Sequence, residues 1–297
     1  MKVLIISGFL GAGKTTLIKK LSKKTDIDFA VMENEYGEVG IDGQVLKQDR
    51  LKVWELTEGC ICCSLKSDFA SSVLTIANAV NPEYLIVEPS GVGMLSSVLF
   101  NLAKIEYEHI RLLQPITVID IHTIATCMRE FSEIFIDQIK YADTIFISKA
   151  ENISHTKIQE AMSLIKSLNP AAKVLLTGAL EEKNFNGKQV LQNYYSHHKS
   201  SSLANAENYP DIENVAIENF HIQTIEELIA KIVLIMRQNY GAVYRGKGFV
   251  CINGQWTKFD IVGENYTIET CEEMDGAKAV FIGRALKKDA LRKLWQN

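Results

Sequence analysis

The residues of this 297-residue chain whose types and spacing could do chemistry are three thiols and one glycine-rich loop. Cys60, Cys62 and Cys63 fall within four positions of the stretch EGCICCS, in a chain with six cysteines in all. Neighbouring cysteines strain disulfide geometry, so the three do not easily bridge one another. Thiolates are soft ligands for Zn²⁺ and its transition-metal neighbours. A helix expected to begin at about Ser64 to Lys66 would lower their pKa toward the metal-binding form. A closed structural zinc site needs a fourth ligand, ordinarily from a second cysteine pair or a histidine, and no second C-x-x-C is present. An open site suits transfer better than storage. Packing thiols and a redox switch are the competing readings, and neither accounts for three cysteines beside Glu58.

The loop is GFLGAGKTT, in which Gly8, Gly13, Lys14 and Thr15 satisfy G-x-x-x-x-G-K-[ST] directly after a strand-like run and directly before a helical one. Its residues Gly8, Gly11, Ala12, Gly13 and Thr16 would turn backbone amides toward phosphate oxygens, helped by the helix N-terminus. Lys14 would reach the β and γ phosphates, and Thr15 would offer its hydroxyl to Mg²⁺. YLIVEPSG supplies Glu88 at a strand end, to hold that magnesium through its water shell, and then Gly91, whose amide could meet the γ-phosphate. The plain alternative for this segment is a buried strand ending in a Pro-Ser-Gly turn. In ISKAE, Glu151 could accept the two guanine hydrogens that the aspartate of N-K-x-D takes, with the Lys149 stem against the ring. Ser148 stands in the place of the asparagine and cannot imitate its amide. LTGA (176–179) falls where a loop contacting guanine O6 would, so guanine is favoured over adenine.

MENEYGEVGIDG (32–43) carries Glu33, Glu35, Glu38 and Asp42 in a Gly-punctuated stretch after the second strand, where a first switch would lie. Carboxylates there could serve Mg²⁺ or complete a thiolate site, although a solvated acidic turn is their commoner use. His122, just past ITVID, is a further candidate ligand or an ordinary polar residue at a strand end.

These groups need a scaffold, and the hydrophobic pattern outlines one. Strand-like runs at 2–7, 29–33, 84–89, 116–120, 144–149 and 173–178 alternate with helical stretches such as 14–24, 66–80, 131–142 and 155–168. Several runs are continuously apolar, as strands covered on both faces must be. The expected fold is α/β: a P-loop NTPase domain with a mainly parallel sheet over 1–195, followed by a small α+β domain over 211–297. The polar, Ser/Asn-rich stretch 196–210 reads as the linker.

A hydrophobic fraction of 47% and a net charge of -4 describe an ordinary globular chain with no basic face for nucleic acid or membrane. The opening apolar run breaks at once into glycines and KTT, so it reads as a strand and not a signal segment. No apolar stretch reaches the roughly 18 residues of a membrane span. The scattered cysteines do not form a secreted disulfide framework, so reduced thiols and a cytoplasmic location are expected.

SGFLGAGKTT, NEYGEVGID, EGCICCS, VEPSG, YRGKGF and VFIGRAL occur together in an order that resembles the CobW-type metallochaperone GTPases of the SIMIBI class. The resemblance spans nearly the whole chain. It implies a GTP-hydrolysing domain and a CobW C-terminal domain, with GTP, Mg²⁺ and a zinc or cobalt cargo delivered to a client protein or cofactor-biosynthesis enzyme. By this resemblance Cys60, Cys62 and Cys63 match the metal thiolates, while Glu35, Glu38 and His122 match acidic and imidazole positions tied to metal binding. SKAE departs from N-K-x-D, and the histidine-rich tract of many members is reduced here to His197 and His198. The resemblance leaves a homodimer open. Two other functions fit the same loop: a small-molecule kinase, which leaves the thiols without a role, and a metal sensor in which nucleotide only stabilises the fold.

Overall fold

The computed structural model describes residues 1–25, 27–35, 52–57, 68–182, 185–196, 213–237, 239–263 and 265–296. The chain divides into two compact units.

The first unit is built on one sheet. Its strands are β1 (Lys2–Gly8), β2 (Phe29–Glu35), β3 (Lys52–Thr57), β4 (Tyr84–Glu88), β5 (Arg111–Leu112), β6 (Ile116–Asp120), β7 (Thr144–Ser148) and β8 (Lys173–Leu176). The spatial order is β3-β2-β4-β1-β6-β7-β8, with the short β5 also paired to β1. β1 pairs in parallel with β4 and with β6, β4 with β2, β6 with β7, and β7 with β8. Strands such as β1, β6 and β7 are buried almost throughout, which explains their unbroken apolar sequences.

The connections wind into α1 (Lys14–Thr25), α2 (Asp68–Ala79), α3 (Leu95–Ala103), α4 (Ile124–Glu130), α5 (Ser132–Lys140) and α6 (His155–Leu168). In α1 the apolar Leu17, Ile18 and Leu21 recur at helical spacing and pack on Leu4, Ile6, Ile86 and Val118 of the sheet. Asp137 of α5 accepts from the Ser96 amide in the first turn of α3, and Ser154 caps α6 through the Lys157 amide.

Two expectations are adjusted. The run 173–178 is a strand only to Leu176, and Thr177–Glu181 winds into a 3₁₀ turn that carries Leu180 into the core. The second strand runs on to Glu35, two residues past its expected end at Glu33, so Glu35, counted with the acidic stretch after the strand, is the last residue of the strand itself. The stretch expected to be the linker falls almost wholly outside the described residues.

The second unit is an antiparallel sheet of β9 (Glu213–Glu218), β10 (Ala242–Ile252), β11 (Gln255–Val262), β12 (Asn265–Thr270) and β13 (Lys278–Arg284), in the order β12-β11-β10-β13-β9. Helices α7 (Ile225–Met236) and α8 (Lys288–Gln296) contribute Leu228, Ile232, Ile235, Leu291 and Trp295 to its core. Trp295, 0% exposed, lies among Phe220, Phe259 and Phe281 with ring centroids 4.9, 5.2 and 5.4 Å away. Room for two of those rings comes from β10, where Gly246 faces Phe281 and Gly248 faces Phe259. No helix among the described residues is long and apolar enough to cross a membrane.

Candidate functional site

Parallel strands deliver their carboxyl ends to one edge of a sheet, and the crevice there is where α/β proteins bind ligands. Here β1, β2, β4, β6 and β7 bring the glycine-rich loop, Glu33, Glu88, Asp120 and Ser148 to that edge. The loop turns through Gly8, Gly11 and Gly13, with φ of 142°, 70° and 95°, values that side chains with a Cβ rarely adopt. α1 begins at Lys14, so the loop amides stand at a helix N-terminus.

Lys14 is buried, with its Nζ 3.8 Å from Glu88 Oε1 and 3.5 Å from the Phe9 carbonyl. Thr15 donates its hydroxyl to the same carboxylate, 3.4 Å from Oε1 and 3.3 Å from Oε2. Glu88 is 9% exposed, and its register partner across β2 is Glu33, 6% exposed. Two buried carboxylates side by side repel unless cations face them, and Lys14 supplies one such charge. Gly91, three residues past Glu88, packs against the glycine-rich loop so tightly that a Cβ on it would stand 2.6 Å from the Leu10 nitrogen.

At the other side of β1 the SKAE segment shows a contact that its sequence does not suggest. Ser148 donates its hydroxyl to the Ala12 carbonyl at 2.6 Å and lies within 3.3 Å of the Ile119 carbonyl. A serine lacks an amide, yet it ties the base-side segment to the phosphate loop. Lys149, at φ 56°, holds Asp120 Oδ2 at 2.7 Å, and Glu151 is exposed. His122 is placed in this same group. Its backbone amide donates to Asp120 Oδ1 at 2.9 Å, and its Nε2 is 3.2 Å from the Lys149 carbonyl. β6 and β4 flank β1 on opposite sides, so His122 and Glu88 are carried by strands that do not adjoin.

Cys60, Cys62, Cys63, Glu38, Asp42, His197 and His198 lie outside the described residues, and Glu35 is described only in its backbone, as the last residue of β2. The other three cysteines are free thiols. Burial pushes the Cys127 thiol up to about 11 and raises that of Cys271, which suits packing more than ligation.

The sequence ends its second strand at Glu33 but does not show what stands beside it: the parallel pairing of β2 with β4 sets Met32 against Val87 and then Glu33 against Glu88.

A glycine-rich strand-to-helix loop with a buried Lys14, a hydroxyl at Thr15 and an acidic strand end at Glu88, all at the carboxyl edge of a parallel sheet, defines a P-loop nucleotide-binding domain. The chain belongs to the CobW/HypB/UreG nucleotide-binding-domain family, which it matches over residues 2–176. It also carries a cobalamin synthesis protein CobW C-terminal domain over residues 215–297. Among curated relatives, the zinc chaperone YjiA of Escherichia coli is 26% identical over 310 residues, covering 98% of this chain and 96% of that protein. The zinc chaperone CobW of Sinorhizobium sp is 27% identical over 297 residues, covering 84% of this chain and 81% of that protein. A zinc-regulated GTPase metalloprotein activator 1 of Dictyostelium discoideum is 28% identical over 214 residues, covering 59% of this chain, and the chain spans 45% of that relative's length.

Proposed function

We propose that this chain is a GTP-hydrolysing metallochaperone in which the nucleotide governs the binding and release of one divalent transition metal. The observation that carries this reading is the β2–β4 register, which sets Glu33 beside the Glu88 that faces Lys14 and Thr15. The strand bearing Glu33, β2, is the sheet neighbour of β3, and Cys60, Cys62 and Cys63 follow β3 in the sequence. In this reading a change at the γ-phosphate reaches the cargo ligands through that pair of neighbouring strands. Membership of the family, and relatives described as zinc chaperones and as a zinc-regulated GTPase activator, support the same reading.

Each residue has a role in this account. The glycine-rich loop and Lys14 bind the β and γ phosphates, and Gly91 presents its amide to the γ-phosphate. Ser148, Lys149 and Glu151 form the base side and favour guanine. The oxygen donors of Thr15 and Glu88 fit Mg²⁺, a hard cation, and would hold it there. When bound, Mg²⁺ supplies positive charge to the β- and γ-phosphate oxygens. Zinc or cobalt is the cargo, taken by Cys60, Cys62 and Cys63, with Glu35, Glu38, Glu33 and His122 as candidate additional ligands. The metal passes to a client metalloprotein or a cofactor-biosynthesis enzyme in a reducing cytoplasm, where the thiols stay ligand-competent.

The test is a titration of Co²⁺ and Zn²⁺ into the protein with Mg²⁺ and either GDP or a non-hydrolysable GTP analogue, following the thiolate-to-Co²⁺ charge-transfer band. The analogue is expected to tighten metal binding, and Cys62→Ala or Cys63→Ala to abolish the band. Equal affinity with both nucleotides, or no band at all, would overturn the reading and turn attention to phosphate acceptors.

A further inference from the structure

Helix α5 reaches the loop after β4 with two adjacent side chains. Gln138, 1% exposed, donates from Nε2 to the Gly91 carbonyl at 3.2 Å and to the Gly93 carbonyl at 2.9 Å. Asp137 accepts from the Ser96 amide at 3.1 Å, where α3 begins. The helix is itself anchored: Thr117 of β6 donates its hydroxyl to the Gln138 carbonyl at 2.7 Å. At its head, Phe131 stacks on Phe9 of the glycine-rich loop with ring centroids 4.8 Å apart. Gly91 is therefore held from two sides, by Gln138 and by the close approach of Leu10.

Packing alone does not account for a glutamine here. Its Oε1 is buried with no hydrogen-bond partner among the described residues, which costs stability that an apolar side chain of the same size would not lose. What the amide offers in return is two N–H donors on one nitrogen, enough for two carbonyls at once. Glutamate of the same length has none when ionised, and asparagine is one methylene shorter.

We propose that Gln138 is a positioning residue for nucleotide discrimination: by holding the Gly91 and Gly93 carbonyls, it fixes Gly91 against the glycine-rich loop with its amide available to a γ-phosphate. The proposal rests on the reading of Gly91 as the γ-phosphate sensor.

The experiment uses the full chain with Gln138→Met, which keeps the volume, and Gln138→Glu, which sets an anion against two carbonyls. GDP and non-hydrolysable GTP analogue affinities, kcat and KM for GTP, and amide hydrogen exchange over 89–96 are measured. Loss of two hydrogen bonds to the sensor loop is expected to weaken the analogue roughly tenfold in Gln138→Met while GDP affinity stays within about twofold. In the same variant kcat falls by more than KM rises, and exchange over 89–96 quickens. Gln138→Glu shows larger effects of the same kind, and Gln138→Asn replaces either variant that does not fold. An equal loss for GDP and analogue, or an unchanged analogue affinity and kcat, overturns the proposal. If the wild-type chain itself does not distinguish the two nucleotides, the reading of Gly91 fails instead. Positioning by Gln138 is then decided by exchange over 89–96, which sinks the proposal if it does not quicken in Gln138→Met.

Discussion

Replacing Gly91 by alanine adds one methyl group at the tightest point between the loop after β4 and the glycine-rich loop. The new Cβ would meet the Leu10 nitrogen at 2.6 Å, Leu10 Cδ2 at 2.7 Å and Leu10 Cα at 2.8 Å. Non-bonded heavy atoms sit at about 3.5 Å, so one loop must retreat by about 0.9 Å. Two of the three obstructing atoms are backbone, so a side-chain rotation cannot relieve the clash. A misplacement of about 1 Å at a reacting group costs about 100-fold in rate, equivalent to about 2.7 kcal/mol of transition-state stabilisation. Overpacking adds about 1–3 kcal/mol of lost stability, and in a chain of this size each kcal/mol lowers Tm by about 2–4 °C. The assay is phosphate release at saturating GTP, with GDP affinity and Tm measured on the same sample. The expected outcome is a kcat about 100-fold down in a protein that still melts cooperatively. A Gly91→Ala variant that hydrolyses GTP within about threefold of wild type would refute the placement of Gly91 at the reacting phosphate.

Three further outcomes follow from the geometry. Ser148→Ala removes the buried hydroxyl bonded to the Ala12 carbonyl, worth about 1–1.5 kcal/mol, so fluorescent GDP and GTP should both bind about five- to tenfold more weakly; a change below about twofold would contradict the tether. Trp295→Ala should cost about 3–5 kcal/mol, read from the urea midpoint by circular dichroism, and a loss under about 1 kcal/mol would mean that the aromatic cluster does not hold the second unit together. Burial pushes the Asp137 carboxyl up against the pull of the Ser96 and Leu95 hydrogen bonds. A carboxyl with a raised folded pKa keeps its proton longer in the folded state, so stability falls as pH rises from its unfolded value of about 3.9 through the folded one. Asp137→Asn keeps an acceptor for Ser96 and is expected to be the more stable protein at pH 7, with the advantage vanishing below about pH 3.9. Urea midpoints at the two pH values check this, and an advantage that grows in acid would reverse the sign of the argument.

What the sequence disclosed depends on how local the cause is. The glycine-rich loop was legible because its motif, strand and helix are contiguous, and the central strands because burial on both faces leaves them apolar throughout. Three described strands were not read: the two-residue β5, and β3 and β12, which lie at the edge of their sheets. Their sequences, KVWELT and NYTIET, mix polar with apolar residues, as strands with one open side do. Ser148 was judged by its chemistry relative to asparagine, and no local pattern could show that a hydroxyl 136 residues along the chain would meet Ala12. Glu35 was counted with the loop because the expected strand ends at Glu33, and the acidic ENE that follows the apolar FAVM gives no sign that the strand continues for two more residues.

The two glycines of RGKGF look alike in sequence, yet they leave different paths open to mutation. At Gly246 the three atoms nearest to an added methyl group all belong to side chains, Phe281 at 2.8 Å and Ile261 at 3.0 Å. A smaller residue at 281 would admit alanine at 246, so the pair can drift together provided the ring shrinks first. At Gly248 the nearest obstacle is the Lys278 carbonyl at 2.5 Å, which belongs to the neighbouring strand and cannot shrink. Descendants of this chain should therefore trade residues 246 and 281 as a linked pair, in one order, and keep glycine at 248 whatever happens to the ring of Phe259.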